Sequence, residues 1–231
     1  MAQTRYAQLC AVARAAEILG GRWTLLIVRE LLFGPRRFTD VRARLDGVSA
    51  SVLAERLLRL EESGMVARRF LDPPAASTVY ELTPAGRALE PAMRELAKWG
   101  VRLLLPARIK DRVEADWLRL ALAACARRGP APPRSFLLRL RHGRKELLLR
   151  VAGGADGVTV TEEAGPADAT LLTDPRTVLA LATGALDPRT ALRDGAVRVE
   201  GDVAALESFP ALFDVAPSVG GLGALRGPPS H

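Results

Sequence analysis

Cysteine is scarce in this 231-residue chain. Cys10 and Cys125 are too few for a disulfide framework and too far apart in sequence to be taken as a pair. Histidine is as rare: His142 and His231 have no cysteine or carboxylate at a spacing suited to a metal. No GxSxG, phosphate loop or dinucleotide fingerprint occurs, and "VAGGADG" is too loose a glycine turn to count as one. These absences predict a protein that is not an enzyme and uses neither cofactor nor metal. Aromatics make up 5%, so the core has to be built mainly from Leu, Val and Ala. No apolar run approaches the length of a membrane helix, and the polar start "MAQTRYAQLC" is unlike a signal peptide. The expectation is a cytoplasmic chain with no membrane partner.

Positive charge is abundant, and it is unevenly spread. The formal net charge is +7. Residues 1–105 hold 16 Lys+Arg against 11 Asp+Glu, residues 106–150 hold 12 against 4, and residues 151–231 hold 5 against 11. A basic balance suits a polyanion. The acidic last third is the part least suited to touch one.

The first half has helical periodicity. "AVARAAEIL" forms a helix that Gly20-Gly21 ends. In "RWTLLIVRELLF", Trp23, Ile27 and Leu31 share a face, with Leu26 beside them, before Gly34-Pro35 stops the helix. "RRFTDVRARL" turns Phe38, Val41 and Leu45 inward, and Asp46-Gly47 signals a turn. The next helix places Leu53, Leu57 and Leu60 on one face and Gly64 at a left-handed C-terminus. "MVARRFL" and "STVYELT" alternate as two short strands joined through "DPPAA". Thr83-Pro84 then opens one long helix with a heptad-like stripe of Leu89, Ala92, Leu96, Trp99 and Leu103, which suits either its own domain or a partner subunit.

Three helices, two strands and a long closing helix describe a winged helix-turn-helix, with residues 37–63 as the helix-turn-helix. The front of its second helix would meet base edges in the major groove of double-stranded DNA. That accounts for the small residues Ser49, Ala50 and Ser51, which allow close approach and offer amides to a phosphate. Val52 suits a thymine methyl. Arg56 and Arg59 suit phosphates or a guanine edge, although Arg56 equally suits an ion pair with a carboxylate such as Asp40. Arg36 and Arg37, after the Gly34-Pro35 turn, and Arg68 and Arg69, at the root of the wing, suit the phosphate backbone.

The motifs "GGRWTLLIVREL", "G-RRF-D", "G-S---L-ERL--LE--G" and "YELT--G", preceded by Cys10, resemble the HxlR family of bacterial transcriptional regulators over residues 10–100. The resemblance implies DNA binding by a homodimer joined through the first and last helices. Many members answer to small molecules or oxidants, so Cys10 is a candidate redox sensor, with Arg14 one turn on to favour its thiolate. Ala11 stands where the family often has Pro. Cys125, on an apolar helix, suits the core.

Residues 106–115 are expected to be a charged linker and 216–231 a flexible tail, dividing the chain into domains at 1–105 and 116–215. The second half opens with the helix "ADWLRLALAACARR", followed by a hairpin around His142-Gly143 and further strands in "GVTVTEE", "DATLLT" and "AVRVEGD". The repeated Asp-Pro-Arg-Thr at 174–177 and 187–190 suits two helix starts, Asp as N-cap and Pro in the first turn. The stretch "DATLLTDPRTVLALATGALDPRTALRDGAVRVEGDVAALESF" resembles the sterol-carrier-protein-like α/β fold. That implies an apolar effector, with Trp117, Leu120, Leu179, Leu181, Leu206 and Phe209 as candidate lining residues or as ordinary core. The predicted fold class is thus α+β, a winged helix-turn-helix followed by a sterol-carrier-like domain. Three readings stay open: a dimeric DNA-binding regulator with an apolar effector, a lipid or small-molecule carrier that uses the winged helix only to dimerise, and a regulator whose sensing rests on Cys10 alone.

Overall fold

In the computed structural model, which describes residues 5–74, 76–104 and 112–215, the chain divides into two units, Met1–Met93 and Arg94–His231. The first holds α1 (Ala11–Leu19), α2 (Thr24–Leu32), β1 (Arg36–Arg37), α3 (Phe38–Arg44), α4 (Ala50–Glu62), β2 (Val66–Leu71), β3 (Ser77–Leu82), α5 (Pro84–Arg87) and the start of α6 (Glu90–Val101). The strands form an antiparallel sheet in the order β1-β3-β2, with Val66 opposite Leu82, Leu71 opposite Ser77, and Arg36 opposite Tyr80.

Local chemistry fixes both ends of α4. The Ser49 hydroxyl accepts the Val52 N–H at 3.3 Å, satisfying one of the amides that a helix start leaves unpaired. At the other end Gly64 adopts φ +72°, its N–H bonding Glu61 O while the Met65 N–H bonds Leu60 O. This is the double closure that needs a left-handed residue after the helix. Between these ends Leu53, Leu57 and Leu60 are buried against Ile27, Val28, Leu31, Val41 and Leu45. Each buried leucine contributes about 2 kcal/mol of apolar burial.

The expected helix face of α2 needs one correction. Ile27 and Leu31 are buried as expected, but Leu26 is 38% exposed, and Val28 and Glu30 occupy the inner positions. Glu30 is fully buried. One of its carboxylate oxygens accepts Arg29 at 2.7 Å and 3.0 Å. The other accepts Arg44 from α3, and Arg36 donates to the Glu30 backbone carbonyl at 3.0 Å. The carboxylate is tolerated in the interior because three guanidiniums give it there the pairing that a buried charge requires.

A second correction concerns the closing helix. Instead of one helix from Pro84, the chain forms α5, a turn, and then α6. Pro91 lacks an N–H and its ring crowds the carbonyl four residues back, so the helix cannot run through. The Leu89 N–H bonds Gly86 O instead, and regular bonding resumes with Met93 N–H to Leu89 O. At the junction with the wing, Thr83 caps α5 by accepting the Gly86 N–H at 3.1 Å and donates to Gly64 O at 2.6 Å. Gly86 lies so close to Met65 that a Cβ would collide with the Met65 carbonyl oxygen. This is the physical content of the "YELT--G" pattern.

The second unit contains α7 (Ala115–Cys125), β4 (Ser135–His142), β5 (Lys145–Gly154), β6 (Gly157–Thr161), β7 (Ala169–Thr173), α8 (Pro175–Ala182), α9 (Pro188–Arg193) and β8 (Arg198–Gly201), then two short 3-10 turns. The sheet order is β6-β5-β4-β7-β8, with β4 and β7 parallel and the other pairs antiparallel. Alternation sends Phe136, Leu138, Leu140, Leu147, Leu149, Val151 and Leu171 to one face, into a core shared with Leu118 and Leu122 of α7 and Val178 and Leu181 of α8. The hairpin closes one residue later than expected, at Gly143-Arg144, with Gly143 at φ +61°. Asp174 accepts the N–H groups of Arg176 and Thr177, and Asp187 accepts that of Thr190, so the repeated tetrapeptide does start two helices. Most of the expected linker, through residue 111, and the tail 216–231 lie outside the described residues.

Glu30→Gln is expected to destabilise the protein by about 3 kcal/mol, because it leaves three clustered guanidiniums without their counter-charge. Equilibrium urea unfolding measures this, and an unchanged midpoint would show that the cluster does not depend on the carboxylate.

Candidate nucleic-acid interface

The front turn of α4 is open to solvent. Ser49, Ala50 and Ser51 are exposed, and the Ser49 and Ser51 hydroxyls lie 3.1 Å apart. Val52 is half-buried and packs partly on the core, which leaves it less free to meet a base than its neighbours. Ala54, one turn on from Ala50, is exposed and extends this small-residue surface. The sequence reading missed it because alanine carries no chemical signal of its own.

The arginines fall into three groups. Arg36 and Arg56 point inward. Arg36 is bound to Glu30, as described. The Arg56 guanidinium lies over Gly21, where a Cβ would come within 3.1 Å of its Cζ, and its buried Nε has no hydrogen-bond partner. Its carboxylate neighbour is Glu55 at 3.9 Å and not Asp40, which instead accepts the Arg37 backbone N–H. Arg59, Arg68 and Arg69 are at the surface but held by carboxylates: Arg59 by Glu55, Arg68 by Glu61, and Arg69 by both oxygens of Glu81 at 3.1 and 3.0 Å. Arg69 holds the Glu81 pKa below the usual carboxylate value. Arg68 also lies over the Tyr80 ring at 5.4 Å. Arg37 is exposed and donates to the Ser77 hydroxyl at 2.9 Å. Arg42 is exposed on α3.

Cys10 is exposed and precedes α1. The cation expected to favour its thiolate is engaged elsewhere, since Arg14 binds Glu17 at 2.9 Å. Cys125 is buried as expected, and burial pushes its pKa up to about 11.

In the second unit the six candidate lining residues separate. Leu181, Leu206 and Phe209 are fully buried in one core, with Leu179 packed against it. Phe209 meets Phe136 edge-on at 5.1 Å and Phe213 at 5.2 Å. Trp117 and Leu120 are only partly buried, and Arg112 lies over the Trp117 ring. Among the described residues no three His, Cys, Asp or Glu side chains are grouped to hold a metal, and no helix is long and apolar enough to cross a membrane.

Residues 18–107 match the HxlR-like helix-turn-helix family, and residues 115–214 match the SCP-2 sterol transfer family. The HTH-type transcriptional regulator YvaP of Bacillus subtilis is 39% identical over 94 residues, which cover 41% of this chain and 87% of YvaP. The HTH-type transcriptional regulator YodB of the same organism is 35% identical over 92 residues, 40% of this chain and 82% of YodB. The solved structure of reduced YodB superposes with a TM-score of 0.38, at 32% identity, covering 44% of this chain and 100% of that one.

With the Cys125 pKa near 11, its thiol is almost wholly protonated at neutral pH and shielded from reagent. Ellman's reagent is therefore expected to label one thiol rapidly in the native protein and the second only after denaturation. Cys10→Ser should remove the fast phase, and a persisting fast phase would show that Cys125 is accessible.

Proposed function

The chain belongs to the HxlR-like helix-turn-helix family of transcriptional regulators, and from that premise we propose that it reads double-stranded DNA with the front turn of α4 in the major groove. The observation that carries this is the exposed, capped, small-residue turn Ser49–Ser51, held rigidly by the leucines buried behind it. Arg37 and Arg42, both exposed, reach phosphates, Arg37 by exchanging the Ser77 hydroxyl, and Arg68 and Arg69 serve from the wing by exchanging their surface carboxylates for phosphate oxygens. Arg59 can do the same by leaving Glu55. Arg36 and Arg56 act from within, holding the helices that present the turn.

The regulator acts in the cytoplasm as a homodimer and is not an enzyme. Dimerisation is supported by apolar side chains left uncovered on two elements: Leu9 and Val12 at α1, and Leu96 and Trp99 on α6. A second copy covering them would set the spacing of two half-sites. The match of residues 115–214 to a sterol-transfer family supports an apolar effector in the second unit. Such a ligand acts on transcription to the extent that it binds the DNA-competent state differently.

Fluorescence anisotropy of the full-length protein on its own promoter region, against scrambled DNA and across salt concentrations, tests the reading. Affinity is expected to be sequence-selective and to fall steeply with salt. Ser51→Glu should weaken specific binding at least tenfold with no change in thermal midpoint. Arg56→Ala should lower the thermal midpoint. Equal binding to both DNAs would favour the carrier reading instead.

A further inference from the structure

The sheet of the second unit has a side that the proposed function does not use. Opposite its apolar core, a cavity of about 550 Å³ is lined by Arg139 and Arg141 of β4, Glu146 of β5, Leu172 and Thr173 of β7, Asp174, and Gly195, Ala196 and Arg198. Strand register arranges this surface. Arg139 stands opposite Leu172, and Leu172 opposite Arg198, so the two arginines flank one leucine across three neighbouring strands. Two strand spacings separate their Cα atoms by about 10 Å, which long guanidinium side chains span over Leu172. Arg141 is two residues beyond Arg139 on the same face.

The cations outweigh their local counter-charges. Glu146 pairs with Arg139 at 3.0 Å. Asp174 is engaged with α8, accepting the Arg176 N–H at 2.8 Å and the Thr177 hydroxyl at 2.8 Å. Among the described residues, the side chains of Arg141 and Arg198 have neither an ion-pair nor a hydrogen-bond partner. Both are exposed. Two unpaired forks above an apolar floor, beside a wall of Gly195 and Ala196 with almost no side chain, suit a dianionic group carrying a small organic body. A single carboxylate engages one fork, whereas a phosphate has oxygen pairs for two.

We infer that this cavity is a binding site for a small phosphomonoester, gripped by Arg141 and Arg198 with Leu172 beneath it. The site is separate from the apolar core and independent of the DNA-binding reading.

Calorimetric titration of the full-length protein with phenyl phosphate, at fixed ionic strength and about pH 8 where the monoester is a dianion, tests it. Saturable one-site binding is expected. The R141Q/R198Q variant should weaken it at least tenfold, with the circular dichroism spectrum unchanged because both side chains are exposed. E146Q should tighten it several-fold by freeing Arg139, and phenyl sulfate, a monoanion, should bind more weakly than phenyl phosphate. No saturation up to about 10 mM, weaker than any affinity of note for a built site, would overturn the proposal. So would equal affinity in R141Q/R198Q. A loss of duplex DNA affinity in that variant, with phenyl phosphate silent, would overturn it in favour of a DNA contact.

Discussion

One carboxylate with no access to water holds the first unit in register. Glu30 lies on α2, its guanidinium partners on α2, β1 and α3, and the one from β1, Arg36, stands on a strand that pairs with β3 in the wing sheet. A charge in an apolar interior is tolerated only with its partners in place. The geometry of the helix-turn-helix is therefore set by ion pairing as much as by leucine packing. Arg56 extends the same logic. Its guanidinium rests over Gly21, in space that a larger residue would deny it. Arg29, Arg36, Arg44 and Arg56, all on the DNA-binding half, thus belong to the framework.

Such positions explain what sequence can and cannot convey. The course of α4 was legible because its signals are local: a serine cap, leucines at helical spacing, a glycine with φ above zero. The division of arginines was not. Arg36 and Arg37 are neighbours in a strand, so alternation sends one inward and the other outward, and nothing in the pair says which. Glu30 was hidden for a related reason: a glutamate near the end of an amphipathic helix is normally solvated, and only the convergence of three elements makes its burial affordable. The break before α6 was in plain view as Pro91, but the apolar stripe running across it gave the stronger periodic signal.

In the second unit the legible features were again local. The strands alternate, and each Asp-Pro-Arg-Thr starts a helix through bonds spanning two or three residues. Whether the apolar residues line a cavity or fill a core depends on packing between distant segments. Here Phe136, Phe209 and Phe213, from a strand and the two 3-10 turns, settle against one another, and Leu181 and Leu206 are enclosed with them.

Charge balance in this unit follows from what each acid is bonded to. Residues 106–150 are strongly basic and residues 151–231 acidic, which suggests mutual neutralisation. Yet Asp168 accepts the Ser135 N–H and hydroxyl, bonds that lower its pKa, and Asp174, Asp187 and Asp202 accept backbone amides at helix starts. Asp202 also meets an arginine, Arg134 at 3.2 Å. Acids committed to backbone geometry are poorly placed to neutralise side chains on the far side of a sheet. The alternation that buries Leu138 and Leu140 turns Arg139 and Arg141 outward, and the aspartates that might have met them are capping helices. The positive face is a consequence of how the fold uses its acids, and that use is decided residue by residue through bonds that composition does not reveal.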